Sequence, residues 1–325
     1  MLLKDIPENE ETECENTEDL ISILDEVNQE GLDDGYIIGS MDVKSLYPSL
    51  DIKHTIQIVC EMFEASNTDI SGIDFEEIVF YIATTMDQEE IDRLGIADIC
   101  PKRKSRIGRR PKITGCGTVD DKKKRYAPYI MPDVMQLSDV MRRKLIAIAM
   151  QIALTFVMRN HVYVFDEELR KQREGGAIGL ELTGLLARIY MIWWDKRFLQ
   201  ICAQNQVIVK IYKRYVDDIN ILLKYIGHGY RYNGTEVVRD PEKAEVDRNR
   251  KKDEVMMELM NEIGDSIHPS IQLTTDYPSK NQDEKIPILN LKVWTEQNEE
   301  DRTNIIYEHY RKEQNLLCTR GQRWE

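Results

Sequence analysis

"RYVDDINILL", residues 214–223, places two adjacent aspartates inside a run of apolar, β-prone residues. Neighbouring carboxylates repel, and a strand that buries a face has no use for charge in its middle. The flanks QVIVKIYKRY (206–215) and INILLKY (219–225) alternate and are rich in β-branched and aromatic residues. They predict a β-hairpin with Asp217 and Asp218 at its turn. Aspartate is common in turns, so the bare pair has an ordinary structural reading. A pair that binds a hard cation needs more: oxygen ligands, and for a two-cation site at least one further carboxylate from elsewhere in the chain.

Asp42 is the candidate for that third carboxylate. It follows the apolar strand-like YIIGSM (36–41), where a side chain emerges at a sheet edge, and Tyr47 comes five residues later. Taken singly, Asp42 reads as a strand-end cap and Tyr47 as a core residue. DIKHTIQIVCEMFEAS (51–66) has helical periodicity with Asp51 as N-cap. Upstream, DLISILDEVNQEG has helical spacing and ends at Gly31, a C-cap residue. Residues 1–19 read as a solvated, partly disordered acidic lead-in, and 1–35 as a whole stands outside the main domain.

Farther along, 133–160 predicts a helix that is apolar on one face. KQREGGAIG (171–179) predicts a polar, glycine-rich turn, and LELTGLLARIYMIWWDKRFLQIC a long helix apolar nearly all round. Residues 241–264 predict a charged helix. IQLTTDY, IPILNLKVW and NIIYEHYRK predict three strands. This order of helices and strands implies an α+β architecture, an antiparallel sheet backed by helices on one face.

The chain has 325 residues, 42% hydrophobic and 31% charged, a balance suited to a folded domain with a sizeable core. No apolar run approaches the roughly 20 residues needed to span a bilayer, so no membrane partner is expected. The six cysteines are scattered without a CxxC, which implies a reducing, intracellular compartment and neither a disulfide framework nor a zinc ribbon. The net charge of −14 is uneven: residues 1–40 hold thirteen acidic residues against Lys4 alone, and the remaining 285 residues sum to −2. A near-neutral body can still carry a basic groove, because counterion release depends on local phosphate contacts. Residues 101–125 hold eleven Lys/Arg among Gly, Pro and Thr and read as an inserted loop. Such a run is either a solvated charged face or a phosphate-backbone contact; on the second reading Lys102, Arg103, Lys104, Arg109, Arg110 and Lys112 bind nucleic acid.

DVKSLYPSL (42–50), KQREGGAIG (171–179) and RYVDDI (214–219) occur in the order and spacing of motifs A, B and C of reverse transcriptases. IQLTTDYPSKNQDEKIPILNLKVW (271–294) followed by HYRKEQN (309–315) resembles the segment after motif C in Penelope-like retroelements. The resemblance covers roughly residues 36–315. It implies a right-hand polymerase palm with a ferredoxin-like antiparallel sheet backed by helices. It also implies RNA-directed DNA polymerase activity, two Mg²⁺ ions (or Mn²⁺), an RNA template, a DNA primer and dNTPs, and a nuclear location.

Residue by residue, the resemblance makes Asp42, Asp217 and Asp218 the catalytic carboxylates and places Val43 beside them in the metal set. Tyr47 matches the aromatic that excludes a 2′-hydroxyl. Gln172, Gly175, Gly176 and Gly179 match the motif B loop against the nucleotide, and Tyr215 the aromatic of the YxDD turn. Lys312 lies in the YRK element with no role assigned. Leu180 and Glu181 depart from the family, which usually has Ser-Pro there. The short acidic stretch before motif A and the tail at 316–325 lead us to expect a palm fragment without fingers, full thumb or GIY-YIG endonuclease. The box DVKSLYPSL also resembles that of family B DNA polymerases, but their KxxxNSxYG helix and YxDTD box are absent. The runner-up reading is a noncatalytic nucleic-acid-binding relic or domesticated palm.

Overall fold

The computed structural model describes residues 11–100, 136–172, 174–177, 180–298 and 302–310. The expectations placed on residues 1–10, on the basic segment 101–125, on Gly179, on Lys312 and on the tail at 316–325 lie outside them. The described residues divide into two compact units, one spanning Ile56–Lys171 and the other formed by residues 11–55 together with those from Gln172 onward.

The second unit holds α1 (Thr17–Glu30), β1 (Tyr36–Val43), α2 (Leu46–Ser49) and the start of α3 (Ile52–Ala65). α3 carries the chain into the first unit, which adds α4 (Phe75–Thr85), α5 (Gln88–Arg93), α6 (Asp139–Arg159) and the strands β2 (Val162–Phe165) and β3 (Glu168–Lys171). Three of its helices have side-chain N-caps: Asp74, Asp87 and Ser138 accept hydrogen bonds from the backbone N–H three residues on. They enclose a small core of Val79, Ile82, Ile91, Ile96, Leu145 and Ile148. β2 and β3 pair as an antiparallel hairpin through Asp166 and Glu167, both at positive φ. That geometry belongs to a type I′ turn, normally announced by Asn-Gly or Asp-Gly, and without that signal the hairpin was not anticipated.

The second unit continues with α7 (Glu181–Gln204), β4 (Val209–Tyr215), β5 (Asp218–Lys224), β6 (Tyr230–Tyr232), β7 (Val237–Arg239), α8 (Pro241–Asp247), α9 (Lys252–Ile267), β8 (Leu273–Asp276), β9 (Ile286–Ile288), β10 (Leu291–Gln297) and β11 (Thr303–His309). A four-stranded antiparallel sheet runs β4-β5-β1-β8. Ile219–Leu223, apolar except for Asn220, is buried throughout because β5 lies between two strands and is covered on both faces. Tyr212 and Arg214 point to the face where α7 lies, and both side chains reach Asp195 of that helix. α9 packs against α7, β1 and β8.

Four differences from the sequence reading have physical causes. Helices were expected on one face only. The other face is also covered, by α1 and a separate three-stranded sheet, β11-β10-β9, with Leu20, Leu24, Ile288, Leu291 and Ile305 packed on Ile38, Ile211 and Leu222. The lead-in was expected to be solvated. Thr12 and Cys14 are instead buried, and their backbone groups bond those of Arg214 on the outer edge of β4, satisfying an otherwise open strand edge. IPILNLKVW is two strands, β9 and β10, which meet at Leu289 in a left-handed conformation (φ 51). The helix expected over 241–264 is two, because Lys251 is extended between α8 and α9. The expected caps at Asp51 and Gly31 are present.

Candidate metal centre

Asp42 is the penultimate residue of β1, and its register partner across the antiparallel pair is Asp218, the first residue of β5. Register partners in antiparallel strands point to the same face, so these two carboxylates stand side by side. Asp217 occupies the two-residue loop between β4 and β5. One carboxylate oxygen from each of Asp42, Asp217 and Asp218 lies within 4.8 Å of the others. Among the described residues this is the one group of three His, Cys, Asp or Glu side chains placed so closely. Three carboxylates converging at the ends of two inner strands form the hard, all-oxygen donor set that Mg²⁺ or Mn²⁺ takes, so the residues present fit such an ion. Val43 is buried and its N–H donates to the Asp217 carbonyl at 3.2 Å, which ties the loop to β1.

The loop itself is strained. Val216 sits at φ 58, a left-handed conformation that costs a β-branched residue about 1–3 kcal/mol and persists only where surroundings enforce it. The enforcing group is Arg214, whose side chain is 2% exposed. Its guanidinium donates to the Val216 carbonyl at 3.0 Å, to Asp195 at 2.8 Å and to Glu13 at 3.4 Å. Asp195 is fully buried and accepts from Tyr212 (2.6 Å) and Thr12 (3.3 Å) as well. Burial pushes the Asp195 carboxyl up, against the opposing pull of Arg214 and the two hydroxyls. Burial likewise raises the Tyr212 phenol, and the adjacent Asp195 raises it further. Glu13 is also bonded by Arg188 at 2.7 Å. None of Thr12, Glu13, Arg188, Asp195 or Tyr212 was singled out from the sequence. The available signals were an arginine inside a strand and an aspartate inside the apolar helix of WWDKRF.

The glycine-rich loop meets the segment after β1. The Gly176 N–H donates to the Tyr47 carbonyl at 2.8 Å. A Cβ at Gly175, which has φ 66, would lie 2.2 Å from the Pro48 carbonyl oxygen, and one at Gly176 would lie 2.1 Å from Thr183. The Pro48 backbone takes up the space at Gly175 and the Thr183 side chain that at Gly176, and the Gly176–Tyr47 hydrogen bond joins the two motifs. The Gln172 amide donates to the Glu174 carbonyl at 3.0 Å. Leu180 precedes α7 without a side-chain cap, a role serine would have filled. Tyr47 and Tyr215 line one cavity of about 870 Å³ with Leu46, Ala187, Arg214 and Val216, so the structure does bring these two aromatics together. The three carboxylates stand beside this cavity and not in its lining.

Cys14, Cys60, Cys100 and Cys202 are buried free thiols. Burial pushes the Cys60 and Cys202 thiols up to about 12. No helix of the described residues is long and apolar enough to cross a membrane. None of the known family models matches the chain, and no curated protein matches it.

Proposed function

We propose that this chain is the palm of an RNA-directed DNA polymerase of the reverse transcriptase type, similar to those of Penelope-like retroelements. The observation that carries the reading is the convergence of Asp42, Asp217 and Asp218 from two adjacent strands and a tight loop. The chain order β1-α7-β4-β5-α9-β8 with strand order β4-β5-β1-β8 supports it, being the split βαβ arrangement of a ferredoxin-like palm. In the reaction, the 3′-oxygen of a primer bonds to the α-phosphorus of a dNTP and pyrophosphate leaves.

Asp42, Asp217 and Asp218 would hold Mg²⁺ or Mn²⁺, which when bound neutralises charge on the leaving pyrophosphate and favours the deprotonated primer oxygen. Tyr47 is half-buried and held through its carbonyl by Gly176; on this reading its ring would exclude a 2′-hydroxyl. Phosphoryl transfer asks little covalent help from protein, so the work of these residues is to position and to supply charge.

The test is incorporation of dNTPs on a primed RNA template in Mg²⁺. Asp217→Asn should reduce it about 10³-fold, the loss expected when a group stabilising transition-state charge is removed. Incorporation that is unchanged in Asp217→Asn removes the assignment.

A further inference from the structure

We infer that Arg214 is a positioning residue for the acidic loop, and that Asp195 and Glu13 act through it. The catalytic consequence rests on the polymerase reading above; the geometric claim does not. The guanidinium spans three acceptors at once: Asp195, Glu13 and the carbonyl of Val216. Arginine does this from three separate nitrogens, Nε to Asp195, Nη1 to Val216 and Nη2 to Glu13, whereas the three donors of a lysine ammonium all sit on one nitrogen. Its backbone is held as well. The Arg214 N–H donates to the Thr12 carbonyl at 2.7 Å, and its carbonyl accepts from the Cys14 N–H at 2.9 Å.

A buried ion pair is by itself weak evidence of a stabilising role, because apolar groups of similar volume often serve as well. What an apolar pair cannot do is hold a carbonyl. Here the carbonyl belongs to the strained Val216, and the peptide it starts leads directly to Asp217. Asp217 is thus clamped on both sides, by Arg214 on the preceding carbonyl and by the Val43 N–H on its own. The clamp fixes the direction in which the Asp217 carboxylate leaves the loop, toward Asp42 and Asp218.

Arg214→Lys tests this, since it keeps a cation beside Asp195 and removes the fork. Amide hydrogen exchange at Val43 reads the clamp directly, and exchange at Gly176 serves as an internal control, because its acceptor is Tyr47. Faster exchange at Val43 with Gly176 unchanged is the expected result. Mn²⁺ affinity without substrate, read by electron paramagnetic resonance, should fall about tenfold with loss of preorganisation, and kcat about 10²-fold with the KM for dNTP nearly constant.

Val43 exchange and Mn²⁺ affinity both equal to wild type would overturn the inference, as would equal acceleration at Val43 and Gly176. Accelerated Val43 exchange in Arg214→Lys, together with a wild-type protein that neither binds Mn²⁺ nor incorporates dNTPs, would uphold the clamp and remove the polymerase reading. If Arg214→Lys does not fold, Asp195→Asn/Arg214→Gln carries the same measurements with no uncompensated buried charge.

Discussion

The β2–β3 and β4–β5 hairpins turn on two residues each, and they are built on opposite principles. β2–β3 turns through Asp166, a residue type that tolerates positive φ, and Glu167, which is not β-branched, and the described side chains of its strands are largely exposed. β4–β5 turns through Val216 and Asp217, with a β-branched residue at φ 58, and its second strand is buried on both faces. The first hairpin needs nothing behind it. The second is held in an unfavourable geometry by a buried guanidinium and its acceptors. Both carry clustered acidic residues, Asp166–Glu167–Glu168 in one and Asp217–Asp218 in the other. Only the second brings its carboxylates together with a third from another strand. Strain and convergence occurring in the same loop is the pattern of a site that is maintained at some cost to stability.

The sharpest way to separate the two hairpins is to remove the anions beneath them. Asp195→Ala leaves Arg214 buried without its main partner and should destabilise its unit by about 3–5 kcal/mol. Glu168→Ala removes only the exposed pair with Arg170 and should leave the urea midpoint unmoved. Chemical denaturation followed by circular dichroism measures both, and equal effects would erase the distinction.

A smaller effect separates the carboxylate clusters. Mg²⁺ at tenfold excess over its Kd should stabilise the folded protein by about 1.4 kcal/mol, seen as a rise in Tm. The rise should vanish in Asp217→Asn and persist in Glu167→Gln. A rise that survives Asp217→Asn places the ion elsewhere.

The smallest effect concerns the turns. Val216→Gly relieves the positive φ and should stabilise the fold by about 0.5–1 kcal/mol while lowering any catalytic rate. Glu167→Gly in the other hairpin supplies the Asp-Gly signal and should stabilise by a few tenths of a kcal/mol with no effect on catalysis. Calorimetry together with the primer-extension rate checks the pair. A Val216→Gly protein that is both more stable and equally active would show the strain to be incidental.

Much of this was legible in local patterns. The β-hairpin around Asp217–Asp218, the helix over 181–204 and the caps at Gly31 and Asp51 follow from periodicity and cap chemistry acting over a few residues. Asp42 was legible as a partner because it ends an apolar strand. The β2–β3 hairpin was missed because an Asp-Glu turn carries no propensity signal. The role of residues 12–14 was missed because an acidic segment reads as solvated until an open strand edge is found beside it. The basic run at 101–125 remains a reading of charge alone.

What the sequence determined by itself is the set of carboxylates and the elements that carry them, because strand alternation and turn placement are decided by near neighbours. What only the tertiary structure decided is the register that sets Asp42 opposite Asp218, the second covering layer of the sheet, the contact of Gly175 and Gly176 with Tyr47 and Pro48, and the hold of Arg214 on Val216. These link residues far apart in the chain: Glu13 meets Arg214 across 201 positions, and Asn28 of α1 bonds Ile305 of the covering sheet across 277. Their pairing is chosen by burial and by the need to satisfy every buried polar group, conditions that arise only when the whole core closes.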